Sequence, residues 1–307
     1  MNLHTNCLNL EFKNPIVLAS GIVGLTASSL KRAVDNGCGA VTVKSISQEP
    51  RTGHPNPTMF GTDHYFMNAV GLSNAGIAES ASELAKFKEI CDAPLIGSIF
   101  AGTADEFARL SAEIAASPID MLELDLSCPN VGNEFGDPFA YSTKAIEAIT
   151  RGSKQSIEKT GKQIPLSVKL SPNAWNIGDL AKAAEAAGAD AITAVNTVSG
   201  LMIDVRARMP ILHNKYGGVS GPALFPIALK CVYDCYKAVN IPIIGTGGIT
   251  TGEDALAMIM AGATLVGVGS AVYYRGQTAF AEIAEEMKII MREEHITSLE
   301  EIRGCAH

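Results

Sequence analysis

Two lysines, Lys44 and Lys169, each follow a run of apolar or β-branched residues, where an unpaired ammonium group is costly to bury. Each needs an anion, either a carboxylate of the protein at the same place or a bound ligand. Cys128 is followed directly by Pro129 and Asn130, which end a strand and lift the thiol into a loop, so it reads as an acid or base rather than as apolar filler. Asn68, Asn130 and Asn196 carry amides that both donate and accept, matching the alternating N–H and C=O edges of a cyclic imide. Gly247-Gly248 and Gly269-Ser270 close two late strands, where glycine lets backbone N–H groups approach a phosphate. A phosphorylated flavin suits this set, because a cation beside the N1/C2 carbonyl end of its ring stabilises the negative charge of the reduced form.

The elements that must position these groups recur in a cycle. Short apolar runs at 16–20, 40–45, 95–99, 121–126, 164–170, 191–195, 243–245 and 265–268 predict eight buried parallel strands. Between and after them, helices are expected over 28–36, 82–90, 105–116, 141–160, 177–187, 223–239, 252–261 and 278–292, several ending at glycine. The first dozen residues alternate loosely and predict a short hairpin ending at Asn14-Pro15. A doubly wound open sheet would also alternate strands with helices. The count of eight, and the polar or glycine residues just after nearly every strand, favour an α/β fold of the (β/α)8 TIM-barrel type with an N-terminal β-hairpin, in one domain over 1–307. In a barrel those strand ends converge on one face and ring one pocket: Ser20-Gly21, Lys44-Ser45, Ser98, Asp125 with Cys128 and Asn130, Lys169, Asn196-Thr197, Gly247-Gly248 and Gly269-Ser270. The run from Gly245 to Gly252 looks superficially like a dinucleotide fingerprint, but it lies late in the chain and lacks the acidic partner about twenty residues on.

Composition narrows the partners. A net charge of -8 with scattered Lys and Arg gives no basic face for nucleic acid. No apolar run approaches the roughly 20 residues that span a bilayer, so no membrane association and a cytoplasmic location are expected. The seven cysteines are odd in number and form no C-x-x-C pair, and the six histidines form no ligand cluster, so reduced thiols and no metal site are expected. Small molecules or other proteins remain as partners.

The motifs Leu124-Asp125-Leu126-Ser127-Cys128-Pro129-Asn130, Asn68-Ala69-Val70-Gly71-Leu72, Val168-Lys169-Leu170-Ser171-Pro172, Asn196-Thr197 and Gly218-Val219-Ser220-Gly221-Pro222 resemble those of the class 1 dihydroorotate dehydrogenases. The resemblance runs in the expected order from Ala19-Ser20-Gly21 to Gly267-Val268-Gly269-Ser270, and Cys rather than Ser at 128 marks class 1. Subclass 1B fits better than 1A, and parts of the chain are also similar to the pyrimidine-reducing domain of dihydropyrimidine dehydrogenase.

That resemblance implies FMN-dependent oxidation of dihydroorotate to orotate, with Cys128 taking the C5 proton and FMN the C6 hydride. It implies substrate binding by Lys44, Asn68, Ala69, Val70, Gly71, Leu72, Asp125, Asn130, Asn196 and Thr197, the segment around Gly71 serving as an anion nest for the carboxylate. It implies FMN binding by Ala19, Ser20, Gly21, Lys44, Ser45, Ser98, Asp125, Lys169, Val195, Gly221, Gly247, Gly248, Gly269 and Ser270. A separate FAD and iron–sulfur electron-transfer subunit is implied as a partner, with assembly as a homodimer or heterotetramer; neither a second flavin fold nor cluster spacing occurs in this chain.

Asp125 departs from the family, which has Asn three residues before the cysteine, and Ser98 stands where the family offers Asn. An ionised Asp accepts but cannot donate. Either Asp125 is protonated, or it pairs with a lysine, or the substrate differs at that edge, as in a related FMN oxidoreductase acting on another dihydropyrimidine or pyrimidine-like acid. Two rivals use the same barrel: a Schiff-base lyase built on Lys169 or Lys44, and a flavin- or phosphate-binding barrel without catalysis.

Overall fold

A computed structural model describes residues 1–24, 26–127 and 139–307. The strands are β1 (Thr5–Cys7), β2 (Leu10–Phe12), β3 (Ile16–Leu18), β4 (Ala40–Thr42), β5 (Met59–Gly61), β6 (Phe66–Asn68), β7 (Leu95–Ile99) and β8 (Met121–Asp125). They continue as β9 (Leu166–Leu170), β10 (Ala191–Ala194), β11 (Val198–Leu201), β12 (Ile203–Asp204), β13 (Met209–Pro210), β14 (Tyr216–Ser220), β15 (Ile243–Thr246) and β16 (Leu265–Val268). The helices are α1 (Ala27–Asp35), α2 (Gly76–Ile90), α3 (Ala104–Ile114), α4 (Thr143–Lys159), α5 (Ile177–Ala186), α6 (Phe225–Ala238), α7 (Gly252–Met260), α8 (Ala271–Arg275), α9 (Ala279–Glu293) and α10 (Leu299–Ile302).

The eight expected strands are the eight of a closed barrel, β3, β4, β7, β8, β9, β10, β15 and β16, each parallel to its neighbours in chain order. Because side chains alternate along a strand, every barrel strand sends one row inward and one row out to the helices. Leu122 and Leu124 of β8 join the large outer core with the helix faces, whereas Met121 joins an inner cluster with Val17, Ala40, Ile96, Ile244 and Leu265. The antiparallel hairpin β1–β2 closes that end: Phe12, fully buried, and Cys7 complete the same cluster. The plug is the hairpin that the opening alternation predicts.

Two departures have local causes. Helix α2 begins at Gly76, six residues before the expected start at 82, because Asn74 Oδ1 accepts the Gly76 N–H at 2.8 Å and supplies the missing start signal from two residues upstream. A four-stranded antiparallel sheet, β11-β14-β6-β5, was not foreseen. Its strands are three to five residues long and only partly buried, so they carry no strong periodic signal. Among the described residues no helix is long and apolar enough to cross a membrane.

Candidate active site

Climbing each inward row two residues at a time leads from apolar to polar. On β8 the row is Met121, Glu123, Asp125; on β7 it is Ile96 then Ser98; from β4 it continues from Ala40 through Thr42 to Lys44. Glu123, Asp125, Ser98 and Lys169 are all buried. They survive there because they satisfy one another. Ser20 Oγ donates to the Val43 carbonyl at 2.8 Å and lies 3.3 Å from Ser45 Oγ, which is 3.0 Å from Ser98 Oγ. Ser98 Oγ donates to Glu123 Oε1 at 3.1 Å, and Lys169 Nζ lies 3.7 Å from the same oxygen.

A second branch leaves Ser45 through Asp125. Ser45 Oγ donates to Asp125 Oδ2 at 3.4 Å, while Asp125 Oδ1 accepts from the Ser127 hydroxyl in a short contact and from Asn196 Nδ2 at 3.4 Å. Asn196 Nδ2 also donates to Ser127 Oγ at 2.5 Å, and its Oδ1 accepts the Thr197 N–H at 2.7 Å, which sets the amide's orientation. Thus five expected residues at the ends of five strands, Ser45, Ser98, Asp125, Lys169 and Asn196, form one connected polar network with Glu123 and Ser127.

Glu123 was not singled out from sequence, yet a signal exists. It is a charged residue inside an apolar run, two positions before Asp125, and so on the same inward face. It is the carboxylate partner that Lys169 required. Lys44 differs: among the described residues it forms no salt bridge, and its proton affinity is pulled below the ordinary lysine value by burial, held up by the charge of Asp125 and lowered further by Lys169. Its ammonium is the charge left for a ligand.

The antiparallel sheet covers this network. Asn68, at the end of β6, lies opposite Gly218 of β14, and a Cβ on Gly218 would come within 2.1 Å of Thr197 Oγ1. A Cβ on Gly217 would meet the Asn68 carbonyl oxygen at 2.4 Å. The glycine pair lets β14 wedge between the Asn68 and Thr197 segments, so two distant motifs become neighbours. Beyond Asn68, Gly71 and Leu72 have φ of 77° and 57°, and the N–H groups of Val70, Gly71 and Leu72 find no acceptor among the described residues. Successive unsatisfied N–H groups in such a turn make an anion concavity.

The ends of β15 and β16 are also glycine-built. Gly247 and Gly248 have φ of 134° and 74°, and a Cβ on Gly248 would sit 2.5 Å from Phe225 N and 2.8 Å from the Gly221 carbonyl. Gly221 itself has φ of 86° and precedes the 3-10 turn leading into α6. The N–H groups of Gly247, Gly248, Gly269 and Ser270 have no acceptor among the described residues. That donor set fits a phosphate dianion. Ala19 is fixed by its N–H to the Val268 carbonyl at 3.0 Å, Val195 by its N–H to the Thr246 carbonyl at 2.8 Å, and Gly21, with φ of 88°, has open space where a Cβ would be. Cys128 and Asn130 lie outside the described residues.

With this geometry in view, comparison with known proteins gives a consistent result. The family model described as dihydroorotate dehydrogenase matches residues 2–291. The chain is 42% identical over 99% of its length, and 98% of the relative's, to the catalytic subunit of dihydroorotate dehydrogenase B (NAD(+)) from Methanocaldococcus jannaschii. It is 43% identical to the proteins of that name from Methanosarcina mazei, covering 97% of this chain and 93% of the relative, and from Pyrococcus abyssi, covering 99% of each.

Proposed function

The chain belongs to the dihydroorotate dehydrogenase family, an oxidoreductase family, and from that premise we propose that it oxidises dihydroorotate to orotate in pyrimidine synthesis, with FMN held at the carboxyl-end mouth of the barrel. The observation that carries the reading is the conjunction, at one mouth, of a Lys44 ammonium with no salt bridge and two sets of backbone N–H groups with no acceptor, both among the described residues, and the ordered amide of Asn196. When bound, FMN supplies a two-electron acceptor for the hydride leaving substrate C6.

The chain's own residues do the rest. Gly247, Gly248, Gly269 and Ser270 hold the phosphate through their N–H groups, and Ala19, Ser20, Gly21, Ser45, Ser98, Val195 and Gly221 line the remainder of the cofactor's path. Lys44 and Lys169 place positive charge beside the flavin. Asn68, Ala69, Val70, Gly71, Leu72, Asn130, Asn196 and Thr197 receive the substrate, its carboxylate in the nest around Gly71. Cys128 takes the C5 proton as a thiolate. An ordinary thiol, with a pKa of about 8.5, is only partly ionised at neutral pH, so turnover rises toward alkaline pH.

Asp125 favours dihydroorotate over a substrate bearing an amino or amidine group. Its oxygens already accept from Ser127, Ser45 and Asn196, so it acts by ordering Asn196 and needs no donor from the substrate. The chain works as one domain over 1–307 in the cytoplasm. The relatives' names, which include both NAD(+) and catalytic subunit, support a separate partner subunit through which electrons reach NAD; in this reading that partner carries FAD and an iron–sulfur cluster, and the chain assembles as a homodimer or heterotetramer.

Purified protein reconstituted with FMN is expected to be yellow and to bleach on anaerobic addition of dihydroorotate. Cys128→Ala is expected to keep the oxidised flavin spectrum and slow the bleaching by about 10²–10⁴-fold, the usual worth of a positioned acid or base. Bound flavin that no dihydroorotate reduces would overturn the substrate assignment. Absence of flavin uptake, with a substrate adduct trapped on lysine by borohydride, would instead support the Schiff-base chemistry.

A further inference from the structure

Four ionisable side chains gather at the polar end of the barrel, two ammonium groups and two carboxylates. Glu123 and Asp125 are two residues apart on β8 and share its inward face. Lys169 sits opposite Asp125 in the β8–β9 register, yet its Nζ reaches back to within 3.7 Å of Glu123. Lys44, one residue before Ser45, is held in the field of Asp125 without a salt bridge to it. The formal charges of the four cancel. In a buried site such cancellation matters, since the interaction between charges is several times stronger there than in water.

Resting on the FMN reading above, we propose that Glu123 and Asp125 hold down the electron affinity of the bound flavin by offsetting the positive charge of Lys169 and Lys44. Two lysines alone would stabilise the negative charge of the reduced ring and make it a strong oxidant and a poor donor. The two carboxylates return it toward a low potential. A low potential serves an enzyme whose two electrons, taken from the substrate as hydride, must pass onward to a weak oxidant of the nicotinamide class rather than to a strong one. Glu123 acts through Lys169, and Asp125 through Lys44 and Asn196, so both are positioning residues. The charge of Asp125 is the part of this balance that an asparagine would lack.

The test is the reduction potential of FMN bound to the intact chain, measured by anaerobic equilibration with a reference dye, in wild type, Asp125→Asn and Glu123→Gln. Asp125→Asn is expected to shift the ratio of reduced to oxidised flavin about tenfold toward reduced at a fixed poise, about 30 mV upward for a two-electron couple. Glu123→Gln is expected to shift it in the same direction, and Lys44→Met in the opposite one. By linkage the upward shifts must show as a matching rise in the affinity for reduced FMN relative to oxidised FMN. A purely structural role would weaken both forms equally and leave the potential where it was. If Glu123→Gln fails to fold, Asp125→Asn with Lys44→Met decides the matter. An unchanged or lowered potential in flavin-loaded Asp125→Asn overturns the inference while leaving the FMN reading intact, whereas a wild-type chain that takes up no FMN overturns the FMN reading and this inference with it.

Discussion

The two ends of the barrel interior are built from the same eight strands on opposite principles. At the amino end, Val17, Ala40, Ile96, Met121, Ile244 and Leu265 meet the β1–β2 plug through Phe12 and Cys7, and the cluster is buried and apolar. At the carboxyl end, the same inward rows continue into Lys44, Ser98, Glu123, Asp125 and Lys169. The apolar end contributes free energy by removing hydrocarbon from water, with no directional demand beyond shape. The polar end stays folded only while each buried group keeps its partner, and the Lys44 charge and the N–H groups that have no acceptor among the described residues are what a ligand would complete. Stability concentrates at one end and chemistry at the other, the division expected of this architecture.

That division can be broken most sharply at Phe12. Phe12→Ala leaves a cavity under the barrel and is expected to cost about 4 kcal/mol by urea unfolding, while the FMN bound per folded chain stays the same. A loss of FMN stoichiometry at unchanged stability would mean that the two ends are not separable. At the opposite end, Lys169→Met strands the Glu123 carboxylate and is expected to cost about 3 kcal/mol. The double variant Glu123→Gln/Lys169→Met should recover most of that loss, because a buried pair replaced together leaves no orphan charge. Failure of the double variant to regain stability would show that packing, not charge, holds this layer.

The smallest effect is the most diagnostic of the contrast, because the two ends should respond to alkali with opposite signs. Burial raises the Cys7 thiol from 9.0 to about 11, against a smaller opposing pull from Arg303. The folded chain therefore keeps a proton that the unfolded chain gives up, and this contribution to stability is complete below about pH 9 and is lost as pH rises through about 11. Lys44 behaves inversely: its proton affinity is lowered in the fold, so the unfolded chain binds more protons and stability rises with pH up to the ordinary lysine range. Unfolding free energy measured against pH should thus fall less steeply above pH 9 in Cys7→Ala and more steeply in Lys44→Met than in the parent protein. The same slope in all three would remove the assignment of these titrations to the two ends.

Much of this plan was legible in the chain. Runs of β-branched and aliphatic residues closed by polar or glycine residues marked all eight barrel strands, because a strand buried on both faces must be apolar until it emerges. Gly247-Gly248, both at positive φ, and Gly269-Ser270 stand just past the ends of β15 and β16, where counting strand ends put them, and their N–H groups have no acceptor among the described residues. Lys44, Ser45, Ser98, Asp125, Lys169 and Asn196 could be placed at one mouth by counting strand ends. Glu123 could have been found by the same counting, since two residues along a strand is one face.

The cover over that mouth was decided elsewhere. Strands β5, β6, β11 and β14 are short and half-exposed; β5 pairs with nearby β6 and β11 with nearby β14, but the β6–β14 pairing that joins them spans about 150 residues, which no local pattern records. Nor could sequence say which anion answers each lysine. It determined that Lys44 and Lys169 needed partners, from the cost of burying charge; the packing of β8 against β9 gave Glu123 to Lys169 and left Lys44 without a salt bridge among the described residues, because the reach of a side chain across a barrel depends on register and twist, which exist only once the strands are paired.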